Sequence, residues 1–125
     1  MKYVEVAKQN GLDLSYIFSN DIAIQFGDLQ APPYNMGDEY IGLALGLKDN
    51  KTITIVIDED NWRKSGDVEK WTTMMHELCH DVLNIQHSVA STSLMHPSSG
   101  YYNITDVFNA LERTLIKYKS ENNIK

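Results

Sequence analysis

Alternating apolar and polar positions predict the strands of this chain. Ile22, Ile24 and Phe26 are separated by single residues, which is the period of a half-buried strand. Residues 40–47 and 52–57 form two further extended segments, and the polar stretch 48–51 between them has the length of a hairpin loop. Gly42 and Gly46 weaken the earlier segment and indicate a place where another backbone comes close, so we expect an edge strand there.

The apolar pattern changes to steps of three and four residues after residue 66. Asp67 is the expected N-cap of a helix of about four turns, whose apolar face comprises Val68, Trp71, Met75, Leu78, Cys79 and Val82. A last helix is predicted to begin at Thr105 as its N-cap and to continue through Leu115. The segment before Gly11 is compatible with either a short helix or a strand.

Together these elements predict one α+β domain covering residues 1–125. A length of 125 residues with 42% hydrophobic residues suits a single core. We expect a small twisted mixed sheet packed on the helix that follows residue 67, with a cleft between the sheet and the segment around Met95. Pro32 and Pro33 indicate a loop, and residues 120–125 are expected to fray.

The charge of the chain argues against two classes of partner. A net charge of -6 provides no basic surface for nucleic acid or for anionic lipid, so neither is expected to bind. The N-terminal residues lack the apolar centre of a signal peptide, and the single cysteine, Cys79, suits a reducing compartment. Cytoplasm is therefore the default expectation for a monomeric protein, with leaderless export or a viral origin left open.

All four histidines of the chain lie within one short window, and two of them belong to the string His76-Glu77-Leu78-Cys79-His80. Residues four apart on a helix share a face, so both imidazoles can reach one ion. Glu77 is offset from them by roughly a hundred degrees, which suits a general base better than a ligand.

Zn²⁺ is the metal that fits this pattern best. Three neutral imidazoles leave one coordination position for water, and the ion lowers the pKa of that water to about 7. Glu77 could then take up the proton and deliver it to a leaving amine. A hydrolytic zinc site needs a third ligand, for which His87 is the natural candidate.

The run HELCHDVLNIQH, followed by Ser93-Leu94-Met95-His96-Pro97, resembles the metzincin superfamily of zinc peptidases. That superfamily has His-Glu-x-x-His-x-x-Gly-x-x-His and then a Met-turn. The resemblance implies His76, His80 and His87 as ligands, Glu77 as catalytic residue and Met95 as the floor beneath the imidazoles. His96 faces away from the metal in such a turn, so it is not expected to bind it.

The spacing departs from the superfamily pattern by one residue. Leu83 occupies the glycine position, and His87 comes one residue late. Asn84 tolerates the left-handed conformation that ends the helix in the superfamily, and His87 follows Asn84 by the required three residues. We therefore expect Asn84 to replace the glycine. Asp81 is expected to be solvated, and Cys79 to be buried without binding metal.

A peptide substrate is expected to bind extended along the edge strand, adding a strand to the sheet. The strand residues concerned are Gly42, Leu43, Ala44 and Leu45. Pro97 stands where some relatives have a tyrosine, so a transition-state role for a tyrosine would fall to Tyr101 or Tyr102.

The sequence favours a zinc endopeptidase over two other functions. A zinc amidase acting on a cell-wall amide or another non-protein amide would use the same chemistry. A zinc-stabilised binding module would keep the ligands but would not need Glu77 as a base. A purely structural zinc site also tends to have four protein ligands, often cysteines, whereas three good ligands occur here.

Overall fold

The computed structural model of the chain describes residues 2–15, 21–36, 41–44, 52–90, 93–96 and 100–122. In chain order the elements are α1 (Lys2–Gln9), β1 (Asp21–Gly27), β2 (Gly42–Ala44), β3 (Thr52–Asp58), α2 (Glu59–Lys64), α3 (Asp67–Leu83) and α4 (Ile104–Glu121). Helices pack on a three-stranded mixed sheet, so the predicted small α+β fold is confirmed. None of the helices in these ranges is long and apolar enough to cross a membrane.

The strands are arranged in the order β1-β3-β2. β1 runs parallel to β3, and β2 runs antiparallel to it with Leu43 opposite Val56. The predicted pairing of the second and third strands is therefore confirmed, as is the position of β2 at an edge. The rest of the predicted edge strand, Tyr40 and residues 45–47, lies outside the described residues.

β1 is more exposed than its alternating pattern predicts. Ile24 and Phe26 lie opposite Ile55 and Ile57 of β3, but Ile24 is 44% and Phe26 is 57% exposed whereas both β3 residues are buried. These side chains are exposed because α3 packs on β2 and β3. The prediction of a half-buried strand is therefore wrong for these side chains, since β1 extends past the helical layer.

The core is formed by the apolar face of α3, one face of α4 and the inner face of β3. Its buried members include Met75, Leu78, Val82, Val107, Leu111, Leu115, Ile55 and Ile57. The ambiguous N-terminal segment is a helix, α1, which contributes the fully buried Tyr3. Gly11 follows α1 with φ of +81°, a conformation that a residue without a side chain adopts at little cost.

Both predicted N-caps are displaced by one or two residues. α3 begins after Gly66, which caps it without a side-chain hydrogen bond, and Asp67 is the first helical residue. α4 is capped by Asn103, whose side-chain oxygen accepts a hydrogen bond from the Asp106 N–H at 2.9 Å. Thr105 is therefore inside α4, and a short polar residue two positions earlier provides the better acceptor. α4 extends to Glu121, so residues 120 and 121 are helical, and the predicted fraying of the tail stays a prediction.

The short helix α2 was not predicted, and Asp58 explains why it forms. Asp58 ends β3 and is buried, and its carboxylate accepts from the Asn61 N–H at 3.0 Å as an N-cap. The other carboxylate oxygen accepts from the Leu29 N–H at 3.0 Å. One side chain thus starts α2 and fixes the loop that follows β1. The predicted loop at Pro32 and Pro33 is confirmed as a turn region.

Candidate metal centre

The structure brings together His76, His80 and His87. One ring nitrogen from each of the three lies within 4.8 Å of the others, which makes the cluster a possible metal-binding site. His76 and His80 come from successive turns of α3, and His87 comes from the loop after it. Nε2 of His76 is 3.0 Å from Nε2 of His80 and 3.3 Å from Nε2 of His87.

Two backbone carbonyl groups orient the helical imidazoles. Nδ1 of His76 is 2.7 Å from the Leu94 oxygen, and Nδ1 of His80 is 2.6 Å from the Ile85 oxygen. A carbonyl oxygen can only accept, so each Nδ1 carries the proton and each neutral ring presents the lone pair of Nε2. Such partners fix both the tautomer and the ring orientation of metal-binding histidines.

The donor set fits a metal ion better than it fits an isolated hydrogen-bond network. Two bare Nε2 atoms 3.0 Å apart repel each other unless a cation lies between them. With zinc–nitrogen bonds of about 2.0–2.1 Å and tetrahedral angles, the nitrogens would be about 3.3 Å apart, close to the observed separations. Burial lowers the pKa of His76 to about 4, which favours the neutral ring that a metal needs.

Asn84 ends α3 in the conformation that the sequence predicts. It lies in the left-handed region, with φ of 55° and ψ of 31°, and its N–H donates to the His80 oxygen. The Ile85 N–H donates back to the Cys79 oxygen at 3.2 Å, which completes the helix-ending turn. This reversal positions the Ile85 carbonyl for His80 and directs His87 to the cluster. The left-handed conformation expected at Asn84 is confirmed.

The backbone of the segment 93–96 makes two hydrogen bonds at the same site. The Leu94 carbonyl accepts from His76, and the Met95 carbonyl accepts from the Ser88 N–H at 2.9 Å, next to His87. Met95 itself is buried. Its role as an apolar floor remains a prediction, while the backbone of this turn has a direct role that the sequence pattern did not reveal. His96 is not in the cluster, and Pro97 lies outside the described residues.

Glu77 lies against the edge strand β2. A Cβ built on Gly42 would lie 3.0 Å from both Cγ and Oε2 of Glu77, and 3.1 Å from Cγ2 of Thr73. Gly42 is therefore in close contact with side chains of α3, whereas the close approach of another backbone stays a prediction. Glu77 is 7% exposed, and burial, with the Asp81 carboxylate as a second cause, raises the pKa of Glu77 to about 7.

Asp81 is not solvated, and this prediction was wrong. It is fully buried, and its Oδ2 accepts a hydrogen bond from the Thr54 N–H at 2.7 Å. The carboxylate therefore joins α3 to β3 at the residue that directly follows His80 of the cluster. The burial predicted for Cys79 is confirmed, and its sulfur accepts a weak hydrogen bond from the Tyr3 hydroxyl at 3.7 Å.

The other predicted substrate residues differ in their surroundings. Leu43 and Ala44 lie with Gly42 on β2, while Leu45 lies outside the described residues. Tyr101 is half-buried against the core, and burial raises the pKa of its phenol despite the opposing effect of Arg113. Tyr102 is 99% exposed. A transition-state role for either tyrosine stays a prediction.

A cavity of about 740 Å³ lies between the loop 84–90 and α4, with Met95 in its lining. This location differs from the cleft that we predicted between the sheet and the Met95 segment. His87 lines the cavity, so the cavity and the histidine cluster adjoin.

We compared the chain with protein-family models, with curated proteins and with solved structures, and no match was found in any of the three comparisons.

Proposed function

We propose that this protein is a zinc-dependent endopeptidase of metzincin-like design, with His76, His80 and His87 holding the metal and Glu77 as general base. The observation that carries the proposal is the convergence of one ring nitrogen from each of three histidines. In two of them the Nδ1–H donates to a carbonyl oxygen, which leaves Nε2 with its lone pair. A bound Zn²⁺ would act as a Lewis acid and make water a nucleophile near neutral pH.

Glu77 is suited to move a proton in this reaction. It follows the ligand His76 directly, it is buried, and its pKa of about 7 lies near working pH, where a base can both accept and return a proton. Its carboxylate is next to Gly42 on β2. A peptide that pairs with this edge strand would therefore pass close to both the base and the metal ligands.

Hydrolysis by the zinc-loaded protein is the direct test. An unfolded protein such as casein should be cleaved, a chelator should abolish cleavage, and added Zn²⁺ should restore it. Glu77→Gln keeps the side-chain shape but cannot accept the proton, so turnover should fall by a factor of about a hundred to ten thousand. A wild-type protein as inactive as the Glu77→Gln variant, with zinc present in both, would refute the catalytic role.

The same preparation distinguishes a peptidase from an amidase. Peptidoglycan and simple amides are offered beside casein under identical conditions. The endopeptidase proposal predicts cleavage of casein, whereas chelator-sensitive hydrolysis confined to the non-protein amides would assign the site to an amidase.

A further inference from the structure

The cavity beside His87 has a wall formed by one face of α4. The cavity-lining positions recur every three or four residues along that helix, and they include Ala110, Arg113, Thr114, Lys117, Tyr118 and Glu121. The opposite wall comprises the loop 84–90 with Ser93 and Met95. Because His87 belongs to this wall and also to the histidine cluster, a chain bound at the metal can continue into the cavity.

The α4 wall is cationic on a protein whose net charge is -6. Arg113 and Lys117 bring two positive charges to the cavity and Glu121 brings one negative charge. Glu121 lies 3.7 Å from Lys117, and both side chains are largely exposed, so their attraction is weak. Within the described part of the chain, no carboxylate is within ion-pair distance of Arg113.

A third basic residue of α4 is used differently. The Lys119 ammonium donates to the Asn10 carbonyl at 2.9 Å and thereby ties α4 to the end of α1. Lys119 does not line the cavity. Lys119 therefore contacts the end of α1, whereas Arg113 and Lys117 line the cavity.

We propose that this cavity binds a carboxylate of the peptide substrate, with Arg113 as its main partner and Lys117 as the second. This inference rests on the proposed peptidase function and names its substrate class. A guanidinium group matches a carboxylate with two parallel hydrogen bonds, which a lysine cannot provide. The apolar side chains of Ile85 and Met95 line the same cavity and suit the methylene groups of a glutamate.

The carboxylate could belong to an acidic side chain or to the C-terminus of the peptide. Three peptides of one sequence separate these sources: one has a glutamate and an amidated end, one has glutamine and an amidated end, and one has glutamine and a free end. The glutamate is moved through each position on both sides of the cleaved bond. We measure kcat and KM with the zinc-loaded protein.

Compared with the amidated glutamine peptide, a carboxylate at one of the tested positions or at the free C-terminus should raise kcat/KM about tenfold, mainly by lowering KM. Arg113→Gln should remove this advantage, and the matched control Arg63→Gln, on an exposed side chain that pairs with Glu59, should keep it. Equal kcat/KM for all three peptides in the wild type would overturn the proposal, as would an unchanged advantage in Arg113→Gln.

A binding measurement tests the cavity even if no peptide is cleaved. Absence of cleavage would refute the proposed peptidase function but not the proposed binding of a carboxylate. Fluorescein-labelled peptides that contain glutamate or glutamine are titrated with the wild-type protein, with Arg113→Gln and with Arg113→Glu, and anisotropy is followed. The proposal predicts tighter binding of the carboxylate peptide by the wild type and loss of that preference in both variants. Equal affinity of the wild type for both peptides contradicts it.

Discussion

Gly42 on β2 lies directly against the side chain of Glu77 on α3. A Cβ at Gly42 would lie 3.0 Å from Cγ and Oε2 of Glu77, which is shorter than the 3.4–4 Å of ordinary van der Waals contact. The absence of a side chain at Gly42 therefore allows the edge strand and the carboxylate that we propose as general base to come this close.

Gly42→Ala should lower turnover while leaving zinc in place. The added methyl group displaces the Glu77 side chain or the strand by a few tenths of an ångström, and the three atoms nearest to it belong to Glu77 and Thr73 and not to the histidines. Because small displacements of a catalytic group are costly, we expect kcat to fall roughly 10- to 100-fold. The measurements are steady-state kinetics and zinc content per chain.

Gly66→Ala is the matched control, since a Cβ at Gly66 has no atom within 4 Å. It adds the same methyl group at the start of the same helix. Loss of a favourable N-cap residue should reduce stability by up to about 1 kcal/mol, with kcat unchanged. If both variants lose activity equally, the contact between Gly42 and Glu77 is not what positions the base.

Asn84 provides a test of the loop that delivers His87. Asn84→Gly should retain zinc affinity, because glycine adopts the left-handed conformation at least as readily. Asn84→Val should lose about 1–2 kcal/mol of stability and bind zinc more weakly, since a branched side chain resists that conformation and the Ile85 carbonyl must move. Urea unfolding and zinc titration measure the two effects. Equal behaviour of the two variants would argue against a required left-handed residue.

Asp81 should contribute to stability independently of metal. Asp81→Ala leaves the Thr54 N–H without its acceptor inside the protein, which should cost about 1–3 kcal/mol in the free energy of unfolding. Asp81→Asn keeps an acceptor oxygen and should cost less. Glu112→Ala, on the exposed side of α4, serves as control. Unfolding is measured with chelator present. An Asp81→Ala variant as stable as Glu112→Ala would show that the hydrogen bond between Asp81 and Thr54 does not stabilise the fold.

Cys79 should be unreactive in the folded protein. Burial raises the pKa of its thiol to about 12, so at pH 8 only about one chain in ten thousand carries the thiolate that attacks a disulfide reagent. One thiol per chain should react quickly after denaturant is added, whereas the thiol of the folded protein should react very slowly. The reaction is followed by absorbance, and rapid modification of the native protein would show that the cysteine is accessible.

Features governed by near neighbours in the chain were predictable. The length of α3, the left-handed Asn84 and the grouping of His76, His80 and His87 depend on helical periodicity and on one turn. The position of β2 at an edge also followed from local signals, namely its glycines and the hairpin-length connection to β3.

Features governed by distant contacts were not predictable. The exposure of Phe26 depends on where α3 lies across the sheet, and the burial of Asp81 depends on Thr54, which is 27 residues away. The orienting role of the Leu94 carbonyl likewise depends on a contact 18 residues from His76, made by backbone that has no sequence signature. The cap of α4 was predicted two residues too late, because Asn103 and Thr105 both have side chains that can accept the same kind of hydrogen bond.

The number of zinc ions bound per chain after equilibrium dialysis, determined by elemental analysis, tests the central claim most directly. The wild type and His96→Ala should each bind one. His76→Ala, His80→Ala and His87→Ala should each bind no zinc or bind it far more weakly at the same free zinc concentration, because only two of the three nitrogens remain in each variant. Full zinc retention in His80→Ala, or a wild type that binds no zinc, would contradict the assignment of this cluster as a metal site.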